Sequence, residues 1–538
     1  MSYLDRVLGR RTPQHAPIPG TNQVPNSAGG FAWAVDEWTR LRRFLVLGSE
    51  GGSFYAGEWQ LTRENATAVE RCIAADGPRA VKEIVAVSRE GRAARNDAAI
   101  FALAIAAAAP DQSTRRAALD ALPDVCRTGT HLFQFVRFVE QMRGWGRGLR
   151  RAVGRWYAAQ EPDALAYQAV KYRQREGYTH RDVLRLAHPA SAVSAGNPTL
   201  PVSTDQARLF EWIARGGSTD GLPRIVEGFA RTQLAATAPE AAALVREYRL
   251  PREAVPPEHL GSAEVWEALL ADMPMTALLR NLGTLTRVGV VAPGSAGTQR
   301  VLEQLGDGER LRRARVHPIA VLAALRTYAS GHGVRGRHTW SPVTPVVDAL
   351  DAAFYAAFGA VEPSGQRHLL ALDVSGSMTW GMVAGVPALT PRDASAAMAL
   401  VTAATESAPE IVGFADRGLT PLAISPRQRL DDAIRAVSGL PFGGTDCALP
   451  MLYATKLRRE VDVFVVYTDS ETWAGSVHPV QALREYRERS GIAARLVVVG
   501  MVSNGFSIAD PADPGMLDVV GFDTATPNVI AGFASGQL

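Results

Sequence analysis

The chain predicts a multidomain protein, an all-α helical-repeat array followed by an α/β doubly wound domain. Three observations carry this. From about Glu64 to Leu325, apolar residues recur at helical spacing between short breaks. From about Arg367 the pattern changes to short, near-continuous apolar runs that alternate with helical stretches, the alternation of a buried parallel sheet. The first of those runs ends in "LDVSGSM", which sets Asp373, Ser375 and Ser377 at alternate positions where a doubly wound sheet keeps its ligands. A length of 538 residues also exceeds what one core usually serves.

Taken in order, residues 1–30 are rich in Pro, Gly and Asn and read as irregular, with 1–20 set apart as an N-terminal segment. "AAIFALAIAAAA" (98–109) is an apolar run too short for a bilayer and reads as a buried helix. "HLFQFVRFVEQM" puts Leu132, Phe135, Val136 and Val139 on one helical face. "TDQARLFEWIARGG" opens on a Thr204/Asp205 cap signal and closes on a glycine pair. Many helices of this length with short loops predict a HEAT-like array, although no residue-level repeat is evident. A glycine-rich basic break, "SGHGVRGRHTWSP", precedes a last helix, "ALDAAFYAAFGAV". Strands follow at "RHLLALDVS", "EIVGFAD", "VDVFVVYTD" and "ARLVVVGMV", with helices at "DASAAMALVTAATES", "LDDAIRAVSGL" and "VQALREYRERSG". The helical domain is placed at 21–362 and the α/β domain at 363–538.

The net charge is only +3 but unevenly spread. From His368 onward there are 12 basic and 18 acidic residues, against 45 and 36 before it. A basic front part suggests a polyanion partner. An arginine-dominated composition is the alternative, since Lys82, Lys171 and Lys456 are the only lysines. Cys72, Cys126 and Cys447 have neither metal spacing nor a disulfide pattern, which fits a reducing cytoplasm. The N-terminus has no apolar core of a signal peptide, and no membrane association is expected.

Two further oxygen-bearing residues fall at equivalent places to the opening motif: Thr445 in "FGGTDC" and Asp469 at the end of "VDVFVVYTD". Hydroxyls and carboxylates without imidazole or thiolate are hard ligands, suited to Mg²⁺ first and also to Mn²⁺ or Ca²⁺. Only two of the five carry charge, so the set does no more than neutralise a divalent cation and leaves it open to an oxygen acceptor from outside. Catalysis is not expected. No second acid stands two residues after Asp373, "PFGGTD" lacks the lysine of a P-loop, and His478 is the sole histidine after His368.

In the front part, "AVKYRQREGYTHRDVLRLAHP" (169–189) crowds basic groups among tyrosines. A helix over 167–176 puts Lys171 and Arg175 on one face, and a second helix opening at "THRD" repeats Arg181, Arg185 and His188 down its length. Two such helices make a phosphate-binding ridge. A solvated arginine-rich face is the other reading.

The five positions Asp373, Ser375, Ser377, Thr445 and Asp469 resemble the metal-ion-dependent adhesion site of a von Willebrand factor A domain. The basic stretch, together with "NSAGGFAWAVDEWTRLRRFLVLGSEGGSFY" (26–55), "MPMTALLRNLGTLTR" (273–287) and "YASGHGVRGRHTW" (328–340), resembles the TROVE module of Ro proteins. The segment "ALDAAFYAAFGAVEPSGQRHLLALDVSGSM" resembles the Ro junction between the two. The chain is thus similar to bacterial Ro proteins over nearly its whole length.

That resemblance implies a monomeric ring of HEAT-like helices closed by the von Willebrand A domain. It implies Y RNA on the outer face, through Lys171, Arg175 and His188, and the single-stranded 3′ ends of misfolded noncoding RNA in a central hole. Arg147, Arg150 and Arg151, in the basic stretch "RGWGRGLRRAVGRW", are the candidates for RNA contact there. It further implies RNA quality control, processing or decay alongside an exoribonuclease such as polynucleotide phosphorylase, with no DNA partner. The alternatives are a metal-dependent protein-docking module and, third, a metal-dependent nuclease.

Overall fold

A computed structural model describes residues 11–47, 58–93, 95–187, 202–314, 316–333, 338–358, 363–380, 383, 389–407, 409–425, 428–440, 443–502, 504–520 and 526–537. His188 and residues 334–337 of the glycine-rich break lie outside them.

The chain does not begin as wholly irregular coil. β1 (Val24–Pro25) and β2 (Phe31–Ala34) form an antiparallel pair ahead of the first described helix, Glu37–Leu47. Among the described residues, helices then follow one another to Phe358, with a hairpin of β3 (Gln174–Arg175) and β4 (Tyr178–Thr179) between them. Periodicity foretold the buried faces well. Leu132, Phe135, Val136 and Val139 are all buried on the helix Gly129–Arg143, and Asp97–Ala108 is buried almost throughout.

The helix Thr204–Arg215 is capped one residue earlier than expected. Ser203 accepts from Gln206 N while the Gln206 side chain bonds back, a reciprocal capping box, and Gly216 and Gly217 at positive φ end the helix. The array closes on itself where the His317 ring donates to the Arg92 carbonyl (3.2 Å).

The second domain is a six-stranded sheet in the order β11-β9-β8-β5-β6-β7, from β5 (His368–Asp373), β6 (Glu410–Phe414), β7 (Leu419–Pro421), β8 (Val463–Thr468), β9 (Arg495–Gly500) and β11 (Met516–Val520). All pairs are parallel except the antiparallel edge strand β7. β10 (Phe506–Ser507) leaves this sheet and pairs with β2, so the N-terminal segment is stitched onto the α/β domain.

Every residue of β5 and β8 is buried, which is why these strands lack polar alternation. Leu370, Leu372, Val465 and Tyr467 face a core shared with the helical array. Leu369, Ala371, Phe464 and Val466 face a second core that also takes Ile18 and Trp33 from the N-terminal segment. Among the described residues, no helix is long and apolar enough to cross a membrane.

Candidate metal centre and nucleic-acid interface

Strands β5 and β8 are neighbours, and each has an acid at or just past its carboxyl end. Asp373 closes β5, Asp469 follows β8, and the loop carrying Thr445 lies against the latter through Trp473 N to Thr445 O (3.1 Å). Asp373, Ser375, Ser377, Thr445 and Asp469 are at most 1% exposed. The Ser375 and Ser377 hydroxyls stand 3.0 Å apart. Asp373 is oriented by Ser375 N (2.9 Å) on one oxygen and Thr468 Oγ1 (2.6 Å) on the other. Asp469 accepts from Glu471 N (3.0 Å) through Oδ1.

What remains is unusual for a protein interior. Asp469 Oδ2 and Thr445 Oγ1 are buried without a hydrogen-bond partner, a costly state for a carboxylate oxygen and a hydroxyl. Burial raises the Asp469 carboxyl well above its ordinary range, and the negative charges of Asp373 and Glu471 add to it. Burial likewise raises Asp373, opposed by hydrogen bonds from Ser375 and Thr468 and by the Arg392 charge. Among the described residues, no group of three or more His, Cys, Asp and Glu converges, so hydroxyls dominate this donor set. Two crowded acids and an orphaned hydroxyl fit a hard divalent cation, whose charge would offset the repulsion. His478 caps the helix Pro479–Ser490 and bonds the Ala16 carbonyl (2.8 Å).

The sequence missed the partners that orient these ligands. Thr468, which fixes Asp373, and Glu471 were legible in "YTDSE" as neighbours of the motif. Asn504, whose amide donates to the Asp469 carbonyl, carried no local signal.

The basic stretch is built differently from expectation. The helix Pro162–Lys171 ends at Lys171, and Arg175 lies in a hairpin whose turn places Glu176 (φ 55°) and Gly177 (φ 83°) in the left-handed region. Lys171 and Arg175 therefore do not share a helical face. The two positive φ values are those of the tight turn that matches strand twist, and "EG" was its only sign.

Lys171 Nζ donates to Tyr167 OH (3.0 Å) and lies over the Tyr167 and Tyr172 rings. Burial works against its charge, but the Tyr167 hydrogen bond and the charges nearby outweigh it, and its pKa is raised. The second helix does start at His180, with Thr179 and Asp182 bonded reciprocally as its cap. Arg175, Arg181 and Arg185 are exposed, as are Arg147, Arg150 and Arg151 at the start of the helix Arg147–Ala158.

None of these six arginines forms an ion pair among the described residues, whereas nearby Arg137 and Arg155 pair with Glu176 and Asp120. The two basic stretches adjoin, since the Trp145 indole donates to the Leu186 carbonyl (3.3 Å) and the helices at 147 and 180 pack together. His180 itself is buried under this surface, its Nδ1 2.8 Å from Tyr157 OH.

Comparisons with known proteins agree with this architecture. The TROVE domain family matches residues 24–214 and 222–366, and the Ro60 vWA domain family matches 367–534. The RNA-binding protein RO60 of Deinococcus radiodurans is 48% identical over 518 residues, covering 96% of each chain. That of Caenorhabditis elegans is 35% identical over 600 residues, covering 98% of this chain and 92% of the relative. The crystal structure of the Deinococcus radiodurans RO (RSR) protein superposes with a TM-score of 0.70 at 46% identity, covering 94% of this chain and all of the other. The chain thus belongs to the Ro family, joining a TROVE ring of HEAT-like helices to a von Willebrand factor A domain of the Ro type.

Proposed function

We propose that this protein is a noncatalytic RNA-binding ring. The observation that carries the reading is the exposed basic surface of arginines without acidic partners, on a chain whose close relatives are named RNA-binding proteins. Guanidinium groups without acidic partners favour phosphate, while half-buried, tyrosine-lined Lys171 offers a fixed cation beside them. Lys171, Arg175, Arg181 and Arg185, with His188, bind a structured small RNA of the Y type on the outer surface. Arg147, Arg150 and Arg151 contact single-stranded 3′ ends of misfolded RNA that enter the central cavity. Sequence-tolerant capture of this kind needs charge and stacking surfaces rather than a base-reading pocket.

The protein then acts as a monomer in cytoplasmic RNA quality control, processing or decay, presenting RNA to an exoribonuclease such as polynucleotide phosphorylase. Asp373, Ser375, Ser377, Thr445 and Asp469 hold a divalent cation, Mg²⁺ first, Mn²⁺ or Ca²⁺ otherwise. The cation supplies a positive centre for an oxygen of a partner. The orphaned Asp469 and Thr445 oxygens support a second function on the same molecule, metal-dependent docking of a protein.

Purification of the intact protein from its host, with and without RNase, separates the readings. Copurifying small structured RNA is the expected result. An RNA-free preparation that retains a partner only in the presence of divalent metal would leave docking as the sole function.

A further inference from the structure

The loops that bear Thr445 and Asp469 are not held by the α/β domain alone. Gln14, fully buried, donates to Asp446 Oδ1 (2.7 Å) and the Val477 carbonyl (2.8 Å), and accepts from Gly475 N (3.2 Å) and Thr472 Oγ1. Asn26 donates to the Thr472 carbonyl (2.7 Å), and Ala28 N donates to Glu471 Oε2 (3.0 Å). Gly30 passes so close that a Cβ there would lie 1.9 Å from the Thr472 oxygen. Residues 14–30 are therefore a strap across the loops of the metal centre, and Ser470, beside Asp469, sits beneath it in a left-handed conformation (φ 60°).

Two more links reach the site from the helical ring. Arg43, on the ring's first helix, donates to Asn504 Oδ1 (2.8 Å), Asn504 O (2.9 Å) and Phe506 O (3.0 Å), and forks onto both oxygens of Asp518. Asn504 in turn donates to the Asp469 carbonyl. From the other end of the array, Arg326 pairs with Asp393 (3.0 Å), and the adjacent Arg392 donates to the carbonyl of Val374, between Asp373 and Ser375. The 373–377 segment is thus tied to the ring through Arg392 and Asp393, the Asp469 loop through Asn504 and the strap, and the Thr445 loop through the strap.

We propose that the metal centre and the ring seam form one coupled device, in which Gln14, Asn26 and the Arg43–Asn504 pair are positioning residues for the Thr445 and Asp469 loops. Filling the site tightens the seam, and loosening the seam weakens the cation by the same factor, because coupling between two sites is reciprocal. The inference rests on the reading that the five residues bind a divalent cation.

The test uses the full chain and Mn²⁺ alone. Mn²⁺ affinity is measured by calorimetry for the parent, Asn26→Ala and Asn504→Ala. Asp272→Ala serves as control, because Asp272 pairs with Arg249 within the helical array, away from the seam and the metal loops. Hydrogen exchange at the Gln14, Asn26 and Phe31 amides is followed in the parent with and without Mn²⁺.

We expect one Mn²⁺ per chain, affinity about tenfold weaker in the two strap and seam variants and unchanged in the control, within the range of about 5- to 150-fold usual for coupled sites. We also expect slower exchange in the strap on Mn²⁺ addition. Equal affinity in all variants, or strap exchange indifferent to Mn²⁺, overturns the coupling while leaving the cation site intact. No Mn²⁺ binding by the parent overturns both. Should the variants fail to fold, the exchange measurement on the parent decides alone.

Discussion

Replacing Arg43 by methionine removes one guanidinium from five hydrogen bonds while keeping an apolar stem of similar length. The side chain is 1% exposed and Asp518 is 15% exposed, so the pair lies well out of solvent. The change strands the Asn504 and Phe506 carbonyls, the Asn504 amide oxygen and the Asp518 carboxylate. Breaking one partner of a buried ion pair costs about 3–5 kcal/mol, chiefly because the other charge is left uncompensated.

Urea unfolding followed by tryptophan fluorescence reads this, since Trp33 and Trp473 belong to the elements joined at the seam. With a slope of about 3 kcal/mol/M, the corresponding transition moves down by roughly 1–1.7 M urea. Asp348→Ala, which breaks a half-exposed pair, moves it by less than about 0.3 M, or under about 1 kcal/mol. Equal shifts for the two variants would refute the assignment of Arg43 as the bolt between ring and α/β domain.

Thr445→Val swaps an unpartnered buried hydroxyl for a methyl of the same shape. Without metal the melting temperature should stay level or rise, because no hydrogen bond is lost. In the parent, Mg²⁺ at about 100 times its dissociation constant adds about 2.7 kcal/mol, and calorimetric melts should show the variant losing most of that gain.

Acid should weaken the helical ring through His131 and His180. Burial lowers both to about 4, with the Arg127 charge adding to the effect at His131. Each is neutral in the fold and takes up a proton first in the unfolded chain. Their contribution is whole above pH about 6.5 and is lost as pH falls toward 4. Thermal melts between pH 7 and 4 should decline less steeply in His131→Gln/His180→Gln than in the parent. An identical decline would remove the histidines from the account.

Much of this molecule is written locally. The apolar face of Gly129–Arg143 and the continuous runs of β5 and β8 follow from periodicity, and Asp373, Ser375 and Ser377 follow from a strand end rich in oxygen. Local reading failed where a single turn decides. A helical pattern carried through Arg175 looks continuous, but Gly177 permits a tight hairpin and swings Arg175 off the helix that bears Lys171.

It also failed where partners are distant. Gln14 meets Asp446, and Arg43 meets Asn504 and Asp518, across more than 400 residues each. No apolar pattern marks such contacts, because they are made by single polar groups that become meaningful only once buried together. The strap over the loops of Thr445 and Asp469 was therefore invisible in a segment that composition describes as irregular.

The most direct test of the RNA-binding ring is the salt dependence of RNA affinity in the parent and in Lys171→Ala/Arg175→Ala. Fluorescence anisotropy with a labelled small hairpin RNA carrying a single-stranded 3′ tail gives log affinity against log salt. Each lost phosphate contact should reduce the slope by about 0.9 on a duplex, so the pair removes roughly 1.8 and weakens binding with the melting temperature unchanged. A parent that binds with a steep slope and a double variant shallower by that amount is the predicted result. Superimposable lines, or a parent without measurable binding at low salt, would contradict the account.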